Sequence, residues 1–184
     1  NGMLIGVFEL LADARNNELK VGVTGFGSDD EILVNQMNAK GYKFRVVPFA
    51  APGERYTSVL GGHADIVIEQ AGDVRSFLAN KQMRPVTFFA DQPQTGYTDI
   101  PLAKDSGFPI VISQFRAIVV RAGTDPKHVA TLAAAIEKVA RSDDFKQYLA
   151  DELAFADSYI PADKAAAFLK GELDRIEANL PAKS

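Results

Sequence analysis

A glycine turn followed by acidic residues is the first segment that could do chemistry. It is VGVTGFGSDDE, at positions 21–31, and it contains Gly25, Gly27 and Ser28. Gly25 and Gly27 lack the Cβ atoms that would keep a ligand away from the backbone. Free backbone amides at the start of the following helix suit a phosphate or a carboxylate. The pattern therefore indicates an anion-binding loop, although acidic side chains stand where the anion would lie.

The same residues also fit a loop that only caps a helix. Ser28 and Glu31 match the S-x-x-E capping box, in which each side chain accepts a hydrogen bond from a backbone amide. Asp29 and Asp30 place negative charge at the positive end of the helix dipole. The two interpretations agree if Ser28 caps the helix, the amides of Gly27 and Ser28 face a cleft, and the two aspartates point to solvent.

Nucleotide, nucleophile and metal motifs do not fit. Asp30 stands where the dinucleotide-binding fingerprint G-x-G-x-x-G requires its third glycine. It also stands where the nucleophile elbow G-x-S-x-G requires its second glycine. A P-loop requires a lysine before Ser28, and none is there. The two histidines, His63 and His128, are far apart in the sequence, and the chain has no cysteine. We therefore expect no catalytic residue, no metal site and no cofactor.

Two further polar positions could contact a ligand. Glu69 and Gln70 follow the apolar run 66–68, which is typical of a buried parallel strand. Ligands bind open α/β sheets at the carboxyl ends of strands, but a solvated loop pair explains these two residues equally well. Arg116 stands in an apolar extended run, either as an ion-pair or hinge residue or as a carboxylate clamp.

The elements that must position these residues alternate between helix and strand over the first two thirds of the chain. Hydrophobic periodicity predicts helices at 3–15, about 32–40, 54–60 and 71–79, and strands at 19–24, 42–49, 65–69 and 85–89. Extended segments at 110–112 and 115–120 follow a turn-rich stretch. The last third is predicted as helices at 126–141, 143–153 and 162–179, with an extended piece at 155–160. The pattern predicts an α/β fold with a parallel sheet flanked by helices.

The composition excludes several classes of partner. The chain has 184 residues, of which 47% are hydrophobic and 24% charged, enough for one core or two small lobes. Its net charge is −4 and it has no lysine- or arginine-rich run, so nucleic acid is not an expected partner. Its apolar runs are too short to span a bilayer, so no direct membrane insertion is expected.

Three segments, in this order, resemble one family of receptors. They are LKVGVTGFGSDDEI at 19–32, VPFAAPGERYTSVLGGHADIVI at 47–68 and TDIPLAKDSGFPIVISQFRAIVVRAGTDPKHVATL at 98–132. They resemble motifs of the Bug, or TctC-like, solute receptors of tripartite tricarboxylate transporters. The sequence departs from those motifs at 51–53, where Ala-Pro-Gly replaces glycines, at Leu102, which replaces threonine, and at 115–117, where Phe-Arg-Ala replaces Trp-Arg-Gly.

The resemblance implies a periplasmic-binding-protein fold, in which two α/β lobes close on a small organic carboxylate. Residues 1–114 would form the second lobe, and residues 115–184 would form a mainly helical return segment of the first lobe. The rest of that first lobe would precede residue 1. Carried over by position, the family's ligand-binding residues are Gly25, Phe26, Gly27 and Ser28 in the glycine turn, Phe49 and Ala50 at the mouth of the cleft, and Gln70 after the third strand.

The resemblance also implies a non-catalytic periplasmic receptor that passes a small carboxylate to membrane transporter subunits. A ligand-sensing regulatory domain of similar architecture is the alternative, and an enzyme acting on a small acid through Ser28 or Glu69 is a third hypothesis. Half of the clamp would be missing from this chain, so we expect the isolated chain to bind weakly. A chain that lacks this lobe could also cover its open face by forming a homodimer.

Overall fold

The computed structural model describes residues 7–112 and 114–179, which belong to two compact units. The first unit comprises residues 1–113 and the second comprises residues 114–184. The assignment of these units to a second lobe and to a return segment of a first lobe stays a prediction.

The first unit is an α/β domain. Its helices and strands, in chain order, are α1 (Val7–Asn16), β1 (Leu19–Val23), α2 (Asp29–Ala39), β2 (Phe44–Pro48), α3 (Pro52–Leu60), β3 (Ile66–Val67) and α4 (Arg75–Ala79). A 3-10 helix, Ala103–Ser106, follows a longer irregular stretch. The predicted class, a parallel sheet flanked by helices, is confirmed. The predicted helix at 3–15 begins at Val7 within the described residues, and positions 3–6 lie outside them.

The three strands form a parallel sheet in the order β2-β1-β3. Leu19 pairs with Phe44 and Val23 with Pro48, while Val21 pairs with Ile66 on the other side of β1. The chain leaves β1 toward β2 and then crosses back over β1 to reach β3. Such a reversal of strand order opens a crevice at the carboxyl ends of the strands, where ligands bind in this class of sheet.

The two faces of β1 have different partners. Val21 and Val23 are almost fully buried and pack in a core with residues of α1 and α2, among them Leu33 and Val34. Gly22, between the two valines, faces the opposite side, where the side chain of Arg55 from α3 lies against it. Burial of each apolar side chain contributes about 1.5–3 kcal/mol, so the core fixes β1 firmly under the loops that follow it.

One predicted strand, 85–89, and one predicted extended segment, 110–112, do not form ladders. The stretch 85–89 contributes one isolated parallel bridge, between Phe88 and Leu102. At 110–112, Ile112 N–H donates to Phe89 O at 3.0 Å, but the stretch is not part of the sheet. β3 has two residues rather than the predicted five. An apolar run forms a strand only where a neighbouring strand makes hydrogen bonds with its backbone N–H and C=O groups. The sequence of the run does not show whether such a neighbour is present.

The second unit is mainly helical. It contains α5 (Pro126–Ala140), α6 (Asp143–Asp151) and α7 (Ala162–Asn179). The predicted extended segments at 115–120 and 155–160 join no sheet within the described part of this unit. Phe115 packs edge-on against Phe168 of α7, with ring centroids 5.2 Å apart. Over residues 7–112 and 114–179, no helix is both long and apolar enough to cross a membrane.

Candidate functional site

The predicted ligand-binding residues follow the ends of the three neighbouring strands. The glycine turn 25–28 follows β1, Phe49 and Ala50 follow β2, and Gln70 lies shortly after β3. Phe49 N–H donates to Val23 O at 3.0 Å, which ties the loop after β2 to the end of β1. All these segments, distant in sequence, therefore lie at one edge of the sheet, which we call the carboxyl edge.

The glycine turn is open on its outer side. A Cβ atom placed on Gly25 or on Gly27 would meet no other atom within 4 Å. Gly27 has a φ of +79°, a left-handed conformation that favours glycine. The side chain of Phe26 between them is 78% exposed. The amides of Gly25 and Phe26 donate to no residue in the described parts of the chain, so the turn retains backbone donors for an external group.

Two carboxylates that follow the turn bind amides of the same loop. Asp30 accepts hydrogen bonds from the N–H of Thr24 at 2.7 Å and from its hydroxyl at 3.1 Å. Glu31 accepts from the N–H of Gly27 at 2.5 Å. The prediction that the amide of Gly27 is free for a ligand is therefore wrong in this structure, since Glu31 holds it.

The capping prediction is right in one half and wrong in the other. Ser28 is the N-cap of α2, and its Oγ accepts from Glu31 N–H at 3.4 Å while it donates to Gly25 O at 2.5 Å. Glu31 returns its hydrogen bond to Gly27 rather than to Ser28. Asp29 is exposed as expected, but Asp30 is only 7% exposed and turns inward.

The loops after β2 and β3 provide a half-buried ring and an amide. Phe49 is half-buried and Ala50 is exposed. Gln70 is half-buried, and its side-chain Nε2 donates to Asp73 Oδ2 at 2.8 Å. The donor of Gln70 is thus engaged within its own loop, while its carbonyl oxygen is the part of the amide not used in this contact.

An enclosed ion pair lies at the same edge, and the sequence pattern did not indicate it. Nε of Arg55, on α3, donates to Oε1 of Glu69, which follows β3. Their side chains are only 6% and 7% exposed. A Cβ on Gly22 would lie 3.4 Å from Cγ of Arg55, so this glycine in β1 leaves the space in which the arginine stem runs. The pair joins α3 to the end of β3 across the central strand.

The pKa values of the two partners are both raised, for different reasons. Burial raises the pKa of Glu69, and the hydrogen bond and positive charge of Arg55 offset this only in part. The negative charges of Asp73 and Asp30 raise the pKa of Glu69 further. Burial lowers the pKa of Arg55, but the hydrogen bond and charge of Glu69 outweigh that effect and raise it. Arg55 therefore stays charged, and Glu69 accepts a proton more readily than an exposed glutamate.

The sequence pattern points to a different arginine, Arg116, either as a carboxylate clamp or as an ion-pair or hinge residue. Arg116 is exposed and belongs to the second unit. Arg55 and Ser58 are the buried positions of α3, three residues apart on one helical face. The three-residue spacing of Arg55 and Ser58 was the only sign in the sequence that this face of α3 could be buried. Because both residues are polar, only the packing of α3 over Gly22 shows that the face is turned inward. Within the described residues, no group of three or more histidine or acidic side chains is arranged to hold a metal ion.

This architecture matches known proteins. Residues 5–181 match the TctC family model, described as the tripartite tricarboxylate transporter family receptor. The chain belongs to this family. A comparison of this TctC-family chain with curated proteins gives no match.

Solved structures share the fold of this TctC-family chain. A TctC solute-binding protein from Polaromonas, solved without ligand, is 23% identical over 97% of this chain, with a TM-score of 0.76. MatC from Rhodopseudomonas palustris, with bound malate, is 20% identical over 96% of the chain, with a TM-score of 0.77. R. palustris Rpa4515, with adipate, is 17% identical over 95% of the chain, with a TM-score of 0.80. The chain covers only 59–62% of the length of these three structures.

Proposed function

We propose that this chain is the ligand-binding lobe of an extracytoplasmic solute receptor that binds a small organic carboxylate without catalysis. The observation that carries the proposal is the open glycine turn after the central strand. Gly25 and Gly27 leave its outer side clear, and the amides of Gly25 and Phe26 have no partner among the described residues. Backbone donors beside a helix N-terminus favour an anion. Family membership and the malate and adipate of two relatives support a carboxylate.

The residues proposed to contact the ligand divide by role. The turn Gly25, Phe26, Gly27 and Ser28 would receive the carboxylate, Phe49 and Ala50 would line the mouth, and Gln70 would offer its amide from the third loop. Because Glu31 already holds the amide of Gly27, the ligand would bind the remaining donors of the turn or displace Glu31.

The wider role proposed for the chain follows its family. The receptor would work in the periplasm and pass its ligand to the membrane subunits of a tripartite tricarboxylate transporter. The chain covers less than two thirds of the length of the solved structures it matches, and these residues by themselves would enclose a ligand on one side only. A ligand enclosed on one side keeps much of its surface in water, and we expect weak binding to the chain alone. Formation of a homodimer stays a prediction.

No specific observation favours the two alternatives. A regulatory ligand-sensing domain would use the same turn, so the site does not distinguish it from a receptor. An enzyme would need an activated group, but Oγ of Ser28 donates to the carbonyl of Gly25 rather than to a base. Glu69, the other residue considered, is enclosed with Arg55. We therefore propose a receptor.

The decisive experiment is calorimetric titration of malate, adipate and citrate into the wild-type chain and into a Gly25→Val variant. Because a Cβ at Gly25 meets no atom within 4 Å, valine should leave the fold intact and cover the turn. We expect the affinity of Gly25→Val for these acids to be about tenfold or more below that of the wild type. A loss of this size is expected when a bound carboxylate loses one hydrogen bond from the protein. Gly171→Ala is the matched control, since this glycine also has open space around it and lies in α7.

Two results would count against the proposal. Equal affinity in the wild type and in Gly25→Val would remove the glycine turn from the site. An absence of binding with all three acids at millimolar concentration would contradict carboxylate binding by this lobe. Micromolar affinity in the chain alone would instead contradict the expectation of weak binding and leave the site assignment in place.

A further inference from the structure

The loop that contains Gln70 has few backbone attachments. Residues 69–73 lie between β3 and α4 and belong to neither a strand nor a helix. In the described parts of the chain, the backbone groups of these residues make a single hydrogen bond, in which Arg75 N–H donates to Gly72 O at 3.3 Å. That contact does not tie the loop to the sheet, because both of its residues follow Gln70 in the chain. The position of the loop therefore depends on its side chains.

Glu69 is the side chain of this loop that turns inward. It is only 7% exposed, whereas Gln70 is half-buried and Asp73 is exposed. Glu69 accepts a hydrogen bond from Nε of Arg55, whose side chain is 6% exposed. A buried ion pair of this kind resists separation, because each charge has lost its hydration and would be left without compensation. The pair therefore anchors the start of the loop to α3.

The next residue of α3 contacts the chain beyond the loop. The ring of Tyr56 packs edge-on against the ring of Phe77 in α4, with centroids 6.1 Å apart. Cζ of Arg55 lies 5.5 Å from the centroid of the Tyr56 ring, and the stem of Arg55 lies against Gly22 of the central strand. Two neighbouring residues of α3 thus hold the chain on both sides of Gln70.

The amide of Gln70 is oriented within the loop. Its Nε2 donates to Oδ2 of Asp73 at 2.8 Å, so the side chain is held by a residue of the same loop. A movement of the loop would carry the amide with it. The place of this amide relative to the sheet therefore depends on the anchor between Arg55 and Glu69.

We propose that Arg55 and Glu69 are positioning residues, whose ion pair holds the loop 69–73 so that the amide of Gln70 stays at the carboxyl edge. The pair acts on the ligand through Gln70 and does not itself contact it. This inference rests on the proposed function, in which Gln70 offers its amide to the ligand. An ion pair that served only to stabilise the domain would leave affinity unchanged in every variant that still folds.

A mutant cycle on ligand affinity separates these two roles. It compares the wild type, Q70A, R55M/E69A and the triple variant R55M/E69A/Q70A by calorimetric titration with malate, adipate and citrate. The paired substitution leaves no unpaired buried charge, and alanine is too short to reach α3. We expect Q70A and R55M/E69A each to lower affinity about fivefold, and the triple variant to lose no more than Q70A alone. Independent effects would instead multiply to about 25-fold.

Further variants test the ion pair itself. R55K keeps a positive charge for Glu69 and should recover most of the affinity that R55M/E69A loses. R45M/E18A is the matched control, because it removes the exposed pair of Arg45 and Glu18 and also leaves the net charge unchanged. Thermal melting checks that each variant is folded. If R55M/E69A does not fold, the same cycle is run with E69D, which keeps the charge but draws the carboxylate back by one methylene group.

Backbone amide relaxation, measured by NMR on residues 69–73 without ligand, reports the positioning directly. We expect order parameters of about 0.8 or more in the wild type and below about 0.6 in R55M/E69A, the range of a flexible backbone. R45M/E18A should match the wild type. If the wild type binds none of the three acids, the proposed function fails, and the relaxation of the loop still decides whether the pair holds it.

Two results would overturn the role of Arg55 and Glu69. One is a loop whose order parameters are the same in the wild type and in R55M/E69A. The other is a triple variant whose loss of affinity is the product of the two separate losses, which would show that the pair does not act through Gln70.

Discussion

Asp30 accepts hydrogen bonds from both donors of Thr24, the backbone N–H at 2.7 Å and the hydroxyl at 3.1 Å. The carboxylate comes from the first turn of α2 and reaches back to the end of β1, so it closes the loop that contains the glycine turn. Two glycines give that loop conformational freedom, and they do not define its shape by themselves. The buried Asp30 supplies the constraint.

Replacement of this carboxylate should loosen the loop. Asp30→Ala leaves the N–H of Thr24 without its partner, and we expect the free energy of unfolding to fall by about 1–3 kcal/mol. Urea denaturation measures the change. Asp29→Ala, at the exposed neighbouring position, is the control and should stay within about 0.5 kcal/mol of the wild type. Equal losses in the two variants would show that the helix dipole, rather than the contact with Thr24, is responsible.

The close approach of α3 to β1 predicts a difference between two glycines. A Cβ on Gly22 would lie 3.1 Å from Val67 Cγ1 and 3.3 Å from Phe49 Cε2, whereas one on Gly25 would meet nothing within 4 Å. We expect Gly22→Ala to lower the free energy of unfolding by about 1–3 kcal/mol, the cost typical of overpacking. Gly25→Ala should be nearly neutral. Equal stability of the two variants in chemical denaturation would contradict this packing of α3.

The raised pKa of Glu69 predicts how stability depends on pH. In the unfolded chain this residue has an ordinary pKa near 4.5, and in the folded protein its pKa is higher because the side chain is buried. Its contribution to stability is therefore fully present below pH 4.5 and is lost as the pH rises through the folded-state pKa. The free energy of unfolding of the wild type, relative to E69Q, should therefore fall as the pH is raised from 4.5 into the neutral range.

Urea denaturation of the wild type and E69Q across that range measures the effect. The glutamine keeps the shape of the side chain and removes its titration, so the difference between the two proteins isolates Glu69. A difference that moves in favour of the wild type as the pH rises would show that Arg55 lowers the pKa of Glu69 more than burial raises it.

The contact between Glu31 and Gly27 predicts competition with the ligand. Glu31→Ala frees the N–H of Gly27 and removes a negative charge from the glycine turn, so we expect malate affinity to rise by about threefold. Glu9→Ala is the control, because it removes the same charge from the first turn of α1, at an exposed position. Calorimetric titration gives the comparison. A loss of affinity in Glu31→Ala would mean that Glu31 shapes the turn for the ligand rather than competing with it.

The sequence by itself determined the local features of this site. The structure contains the predicted glycine turn between a strand and a helix, and it also contains the predicted N-cap at Ser28. Each depends on residues within a few positions of one another, such as a glycine with positive φ at Gly27 or an alternating pair of valines in β1. Short-range patterns of this kind specify backbone conformation directly.

Only the tertiary structure decided which side chains meet at the carboxyl edge. The inward turn of Asp30 and the pairing of Arg55 with Glu69 depend on how α3 packs across Gly22 and on the order β2-β1-β3. The stretch 85–89 has residues typical of a strand, but it pairs with another segment only through the single bridge between Phe88 and Leu102. These outcomes depend on contacts between residues far apart in the chain, and burial and pairing across such distances leave no periodic pattern in the sequence.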